Sequence, residues 1–321
     1  MIDKPTLFIL GAGASQPYGY PTGEKLRTDI INNYGNYYRK LKDVSQKDVP
    51  NVPHTYREIQ AFVQIFSNSS ITSIDKFLSL NPAAAAYGKI GITLSILNSE
   101  KESQFREKAN PDEDWYTYLF NRMMEGLKKP ENYKEFSKNK VAFITFNYDR
   151  SLEYILYDSF YHSFYQSRND IKNNIEEFVP FPIIHVYGTV AKFNTLDWPK
   201  HDYNNDYYDN YLLIENLSKG IKVIGEERVG ESVKDEVKKL LPAYKRIFFL
   251  GFGYAQENLD AIDLIQNIDA KWKIYGTAKG MTPKEIRSIK NRLPIKKNTL
   301  GEGAYATIED MNCYRLLREY L

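Results

Sequence analysis

Three stretches of the chain carry residue types that could act together chemically. "LFILGAGASQPYGYPTG" (7–23) runs four apolar residues into Gly11, Ala12, Gly13, Ala14 and Ser15, then into a loop holding Pro21 and Thr22. "VAFITFNYDR" (141–150) ends an apolar run on Asn147 and Asp149, and "PIIHVYG" (182–188) sets His185 among apolar residues with Gly188 closing it. Two more strand-like runs end in "LGFGY", with Gly251, Phe252 and Gly253, and in "IYGTA", with Thr277. Glycines directly after a strand let the backbone approach a ligand, and a helix starting there offers N–H groups to an anion. A dinucleotide pyrophosphate suits such a turn. A side-chain amide both donates and accepts, so Asn147 could hold a sugar hydroxyl and position a water. Imidazole titrates near neutral pH, so His185 could accept a proton. A carboxylate at Asp149 would favour developing positive charge.

Each of these residues also has a plainer role open to it. The glycine turn lacks the third glycine of a dehydrogenase fingerprint, since Gln16 stands there, and no acidic residue closes a strand about twenty positions on. A tight turn without a ligand would use the same glycines. Asn147 or Asp149 could cap the helix expected from Arg150. His185 could be a satisfied core histidine. His54, His162 and His201 lie in polar or irregular surroundings and read as surface residues.

The elements that must position these groups alternate. Apolar runs at Thr6–Leu10, 141–146, 182–188, 246–254 and 271–278 read as strands. Between them "RSLEYILYDSF", "ESVKDEVKKLL", "ENLDAIDLIQNI" and "TPKEIRSIKNRL" read as helices, the last with Thr282 as N-cap and Pro283 in its first turn, and "EDMNCYRLLREYL" as a closing helix. Pro242 ends the second of these helices. The pattern predicts an α/β fold: a Rossmann-like, doubly wound parallel sheet with a large helical insertion. The sheet domain is expected over 1–24 and 136–321. The insertion is expected over 25–135, where "REIQAFVQIF" and "TYLFNRMMEGL" have helical periodicity and "DVPNVP", "NPAAAAYG" and "ANPDEDW" read as breaks. "WPKHDYNNDYYDNY" (198–211) has no period and reads as a long loop. In an open parallel sheet, polar groups at the carboxyl ends of the strands converge on one crevice.

Composition narrows the function. The chain has 321 residues, 43 basic against 41 acidic side chains and a net charge of +2, which argues against a dedicated nucleic-acid binder. The single cysteine, Cys313, excludes an internal disulfide framework and a Cys-based zinc site, and is compatible with a cytoplasmic location. The opening apolar run is short and Asp3 offsets Lys4, so no secretory signal is expected there. No run approaches the ~18 apolar residues of a membrane span.

The ordered set "GAGAS…PTG", "NYD", "H-x-x-G", "GFGY" and "YGT" resembles the sirtuin family, and its bacterial antiphage-defence branch more closely than the protein deacetylases. "GYPTG" stands at the Gly-Ile-Pro loop of that family, Asn147-Tyr148-Asp149 at its Asn-Ile-Asp, and His185 at its His-Gly pair, with the glycine displaced to Gly188. "ITSIDKFL" (71–78) is similar to a segment of the defence branch. The four-cysteine zinc module of deacetylases is missing, which removes zinc from the expected cofactors.

The resemblance implies an NAD hydrolase making ADP-ribose and nicotinamide, with NAD as substrate and no metal. Asn147 and His185 would be catalytic. Gly11, Ala12, Gly13 and Ser15 would cradle the pyrophosphate, Pro21 and Thr22 would close over the nicotinamide, and Asp149 would bind its amide. Gly188 would border the site, and Gly251, Phe252, Gly253 and Thr277 would line the adenosine side. It also implies an effector in antiphage defence, controlled by homo-oligomerisation or by a companion such as a hexameric translocase ATPase or another sensor protein. Two other functions stay open: an NAD-dependent deacetylase or ADP-ribosyl transferase acting on protein, and a non-catalytic nucleotide- or DNA-binding subunit. The basic run "PKEIRSIKNRLPIKKN" (283–298) is the best support for DNA contact, and its plainer and preferred reading is a solvated helix face.

Overall fold

Four consecutive apolar side chains after Thr6 give Thr6–Leu10 no polar face, and the strand they form, β1, is buried along its whole length. Such a strand belongs in the middle of a parallel sheet covered on both sides. In the computed structural model, which describes residues 1–41, 56–102, 109–191, 211–223, 227–268, 272–293 and 306–321, β1 is central. Six strands, β1, β2 (Val141–Thr145), β3 (Ile183–His185), β4 (Arg246–Leu250), β5 (Lys273–Thr277) and β6 (Ala306–Glu309), pair in the order 3-2-1-4-5-6. Every pairing is parallel. The fold is therefore a Rossmann-like α/β sheet flanked by helices, with its order reversing between β1 and β4.

Register brings the strand ends level. Leu10 stands beside Thr145 on one side and Leu250 on the other, and Thr145 stands beside His185. The chain leaves β1 in a single helical turn, α1 (Ala12–Ser15), then a 3-10 turn at Gln16–Tyr18 closed by Gly19 at φ 94°. The residues between β1 and β2 are then largely helical: α2 (Gly23–Arg39), α3 (Tyr56–Asn68), α4 (Ile74–Leu80), α5 (Ala85–Glu102) and α6 (Trp115–Met124). "NPAAAAYG", expected as a break, is a turn at Pro82–Ala84 that runs straight into α5. Ile90, Ile92, Thr93, Leu94, Ser95, Ile96 and Leu97 of α5 are all buried. A stretch of helix buried on every side is apolar on most of its circumference, and Thr93 turns its hydroxyl back to the Lys89 carbonyl at 2.8 Å.

After β2 come α7 (Ser151–Ser163) and α8 (Arg168–Phe178). Leu152, Ile155 and Leu156 form the buried face of α7, as their spacing predicts. Beyond β3 lie α9 (Tyr211–Ser218) and α10 (Glu227–Leu240). The "ENLDAIDLIQNI" helix is in fact two, α11 (Gln256–Ala261) and α12 (Leu264–Asn267). They part at Asp263, which sits at φ 45° with its carboxylate 3.0 Å from Lys234 Nζ. α13 (Pro283–Arg292) starts with the expected Thr282 cap, completed by Glu285 as a capping box. The expected closing helix is α14 (Cys313–Tyr320), and the residues before it include β6, a strand with no counterpart among the expected ones. The 198–210 part of the expected loop, His54, His201, Lys296 and Lys297 lie outside the described residues. Among the described residues no helix is long and apolar enough to cross a membrane.

Candidate functional site

The glycines after β1 and β4 are needed first by each other. A side chain at Gly11 would lie 2.6 Å from the Gly251 carbonyl oxygen, one at Gly13 2.9 Å from the Gly251 Cα, and one at Gly251 2.0 Å from the Ala14 nitrogen. Gly251 also sits at φ 57°. Gly11 N donates to the Leu250 carbonyl and Gly13 N to the Gly251 carbonyl, each at 3.0 Å, and Ala14 N donates to the Gly11 carbonyl at 2.8 Å. The N–H groups expected to face an anion at positions 11 and 13 are thus committed to the neighbouring turn. The helix behind them is one turn long, not the extended helix of a dinucleotide fingerprint. Gly253 differs: open space surrounds the place its side chain would take.

Above these turns lies a crevice of about 810 Å³ at the point where the strand order reverses. Gly11, Ala12, Gly13, Ser15, Pro21, Thr22, Asn147, Asp149, Gly251, Phe252, Gly253 and Thr277 all line it. Among the described residues that line it, His185 and Gly188 are missing. Gly188, at φ 68°, instead meets the Gly220 carbonyl, which a side chain there would approach to 1.9 Å. Thr277 lines the crevice, yet its hydroxyl accepts from Gly251 N at 2.8 Å and so holds the β4 turn.

The β2 end supplies a polar network. Ser15 Oγ donates to Asp149 Oδ2 at 2.9 Å, which turns its lone pair towards Asn147 Nδ2 at 3.2 Å. That fixes the amide: its NH2 faces Ser15, leaving Asn147 Oδ1 buried with no hydrogen-bond partner. Asp149 Oδ1 accepts from the Ser151 N–H at 3.1 Å and from its hydroxyl, so Asp149 also ties down the start of α7. Burial pushes the Asp149 carboxyl above the usual carboxylate range, against the lowering effect of these Ser151 and Ser15 bonds.

His185 lies behind Asn147. Its Nδ1 is 3.2 Å from the Asn147 carbonyl and its Nε2 2.6 Å from Glu153 Oε1. Burial works against protonation of the ring, but the Glu153 carboxylate and its hydrogen bond outweigh it, and the pKa lies above the ordinary 6.5.

Several groups at the crevice were not singled out by motif. Asp75, on α4, is half-buried and accepts a hydrogen bond from the Tyr148 hydroxyl; desolvation raises its pKa while that bond opposes the rise. Asp75 belongs to the "ITSIDKFL" segment, so its neighbourhood, though not its contact, was visible. Lys76 pairs with Glu257 at 3.2 Å and Lys279 with Glu113 at 2.6 Å, and all four line the crevice. Trp115 Nε1 donates to the Ala14 carbonyl at 2.7 Å and pins the glycine turn from the helical side. Glu153 was hidden because an acidic residue in a first helical turn is ordinarily a dipole partner. Among the described residues no group of three or more His, Cys, Asp or Glu is arranged to hold a metal. The chain matches no protein-family model, and no curated protein matches it.

Proposed function

We propose that the crevice binds NAD and hydrolyses its nicotinamide–ribose bond, the activity that the sirtuin-like motif order implies. The observation that carries this reading is Asn147 Oδ1: a buried acceptor without a partner, on a residue lining a nucleotide-sized crevice at the sheet's switch point. A buried polar atom left unsatisfied costs about 1–3 kcal/mol, and a ligand hydroxyl or bound water removes that cost. In the reaction the C1′–N bond breaks with its electron pair going to the pyridinium nitrogen, releasing neutral nicotinamide. Water attacks C1′ of the resulting oxocarbenium-like sugar and releases a proton to the solvent. Asn147 Oδ1 holds the water or a ribose hydroxyl, and Asp149 stabilises the positive charge on the sugar.

The diphosphate is assigned away from Gly11 and Gly13, whose N–H groups are used. The first turn of the seventeen-residue α2 opens on the crevice at Thr22 and Gly23, and no side chain caps it. That end is the better anion site. The strip at Gly253 adds room for close approach.

Purified protein incubated with NAD in ¹⁸O-labelled water is expected to give nicotinamide and ADP-ribose carrying one ¹⁸O, with or without an acetylated peptide. NAD loss that requires the peptide would favour the deacylase reading. NAD neither bound nor consumed would overturn the proposal. A second reading, a nucleotide-binding unit without turnover, draws on the occupation of both His185 ring nitrogens; binding of NAD without product formation would select it. An NAD hydrolase must be restrained in a healthy cell, so turnover by the purified protein is expected to depend on its self-assembly, with any companion protein acting through that assembly. A fully active monomer in a mass-and-activity profile would contradict that.

A further inference from the structure

We propose that His185 and Glu153 form a positioning pair that clamps the backbone of Asn147 and so aims its amide into the crevice, with His185 taking no proton from the ligand. The inference rests on reading the crevice as a glycohydrolase site.

His185 closes β3 beside Thr145 of β2, and Asn147 lies two residues beyond Thr145. A carbonyl oxygen only accepts, so the ring nitrogen facing Asn147 O at 3.2 Å, Nδ1, carries a proton. The other nitrogen lies 2.6 Å from Glu153 Oε1, with both side chains almost enclosed, 12% and 13% exposed. A general base needs a lone pair directed at its proton, within reach of the substrate. In this geometry both ring nitrogens face protein oxygens, and the ring does not line the crevice.

The surrounding charges agree with a doubly protonated ring. Glu153 on α7 and Asp149 at the end of β2 are both acidic and both favour the imidazolium. The nearby Arg150 guanidinium is directed to Glu100, at 3.2 Å. Asn147 is then held from three directions: its carbonyl by His185, its N–H by Thr145 Oγ1 at 3.1 Å, and its side-chain NH2 by Ser15. Only Oδ1 is left for the ligand. A residue fixed this way resembles the supported sites in which neighbouring hydrogen bonds hold a reacting group to within about half an ångström.

The rival role makes a different prediction. A general base contributes ~10²–10⁴ in rate, and no side chain lacking a titratable nitrogen replaces it. A clamp is rescued by a donor of the right reach, and asparagine puts an NH2 near the place of Nδ1. On the full chain, His185→Ala is expected to lower kcat about 100-fold and His185→Asn to recover to within about tenfold of wild type, with KM shifted less than kcat in both. Nitrogen-15 spectra of the wild-type ring are expected to show two N–H signals near neutral pH, with and without nucleotide. In Glu153→Gln the Nε2 proton is expected to disappear and the Nδ1 proton to remain. His185→Asn as impaired as His185→Ala, or a wild-type ring with one proton at the pH of maximal turnover, would overturn the clamp. Wild-type protein that leaves NAD intact would end the glycohydrolase reading, while the ring spectra still decide the clamp: two N–H signals uphold it and one refutes it.

Discussion

The two sides of the switch point are made of different material. On the β1–β4 side, backbone packs on backbone: Gly11, Gly13 and Gly251 interlock with no room for a methyl group, and Thr277 and Trp115 bind the carbonyl and N–H groups at the edge. On the β2–β3 side, side chains do the work: Ser15, Asn147, Asp149, Ser151, His185 and Glu153 form one polar chain. Interlocked backbone has a single geometry and fails when crowded. A polar network can lose a member while the fold survives, and the loss appears in chemistry or in pH dependence. Here the glycines that look most like a ligand site are explained by the protein itself, and the atom that asks for a ligand belongs to the amide.

This contrast can be broken at either side. The largest effect is expected from Gly251→Ala. Its methyl would meet backbone at 2.0 Å, with φ at 57°, so a loss of about 3 kcal/mol or more is expected, read as a large drop in Tm or insoluble protein. A well-folded Gly251→Ala protein would refute the interlock. Next comes Asn147→Ala, expected to lower NAD turnover by ~10²–10³, the range seen when a single positioned amide is removed from an active site, with an unaltered circular dichroism spectrum.

The third effect is a pH signature. The folded-state pKa of His185 is raised above 6.5, so its contribution to stability is complete below about pH 6.5 and is lost as pH rises through the folded value. The Tm difference between wild type and Glu153→Gln is therefore expected to shrink from acid to alkaline conditions. A difference that grows with pH would contradict the ion pair. The smallest effect on stability is Gly253→Ala, within about 0.5 kcal/mol because its side chain enters open space. In that variant weakened nucleotide binding, measured by calorimetry, would mark the strip as ligand-facing.

The parallel α/β sheet and most of its elements are legible because long apolar runs and helical stripes survive without context, whereas the strand order is not. β6 was not: "ATIE" has four residues at the sheet edge, and its burial comes from β5 and α13 rather than from its own pattern. The break at Asp263 was hidden because apolar spacing continues across it. Of the site, Asn147 and Asp149 were visible as polar residues at a strand end. The pairing of His185 with Glu153 was not, since it depends on how α7 lies against β3. Gly11 and Gly13 show the opposite case. Their types mark close approach, and what approaches them is the β4 turn.

The middle position of β1 sets a timetable for biosynthesis. Thr6 needs Val141 on one flank and Arg246 on the other. At translation rates of ~5–20 residues per second, the second neighbour emerges on the order of 10–50 s after the first strand. Throughout that interval "TLFIL" is a greasy ribbon missing at least one of its two partners, the kind of segment that chaperones shield and that self-associates when they do not. Newly made chains are thus most exposed to aggregation before β4 exists, and slower elongation across residues 10–240 would lengthen that window.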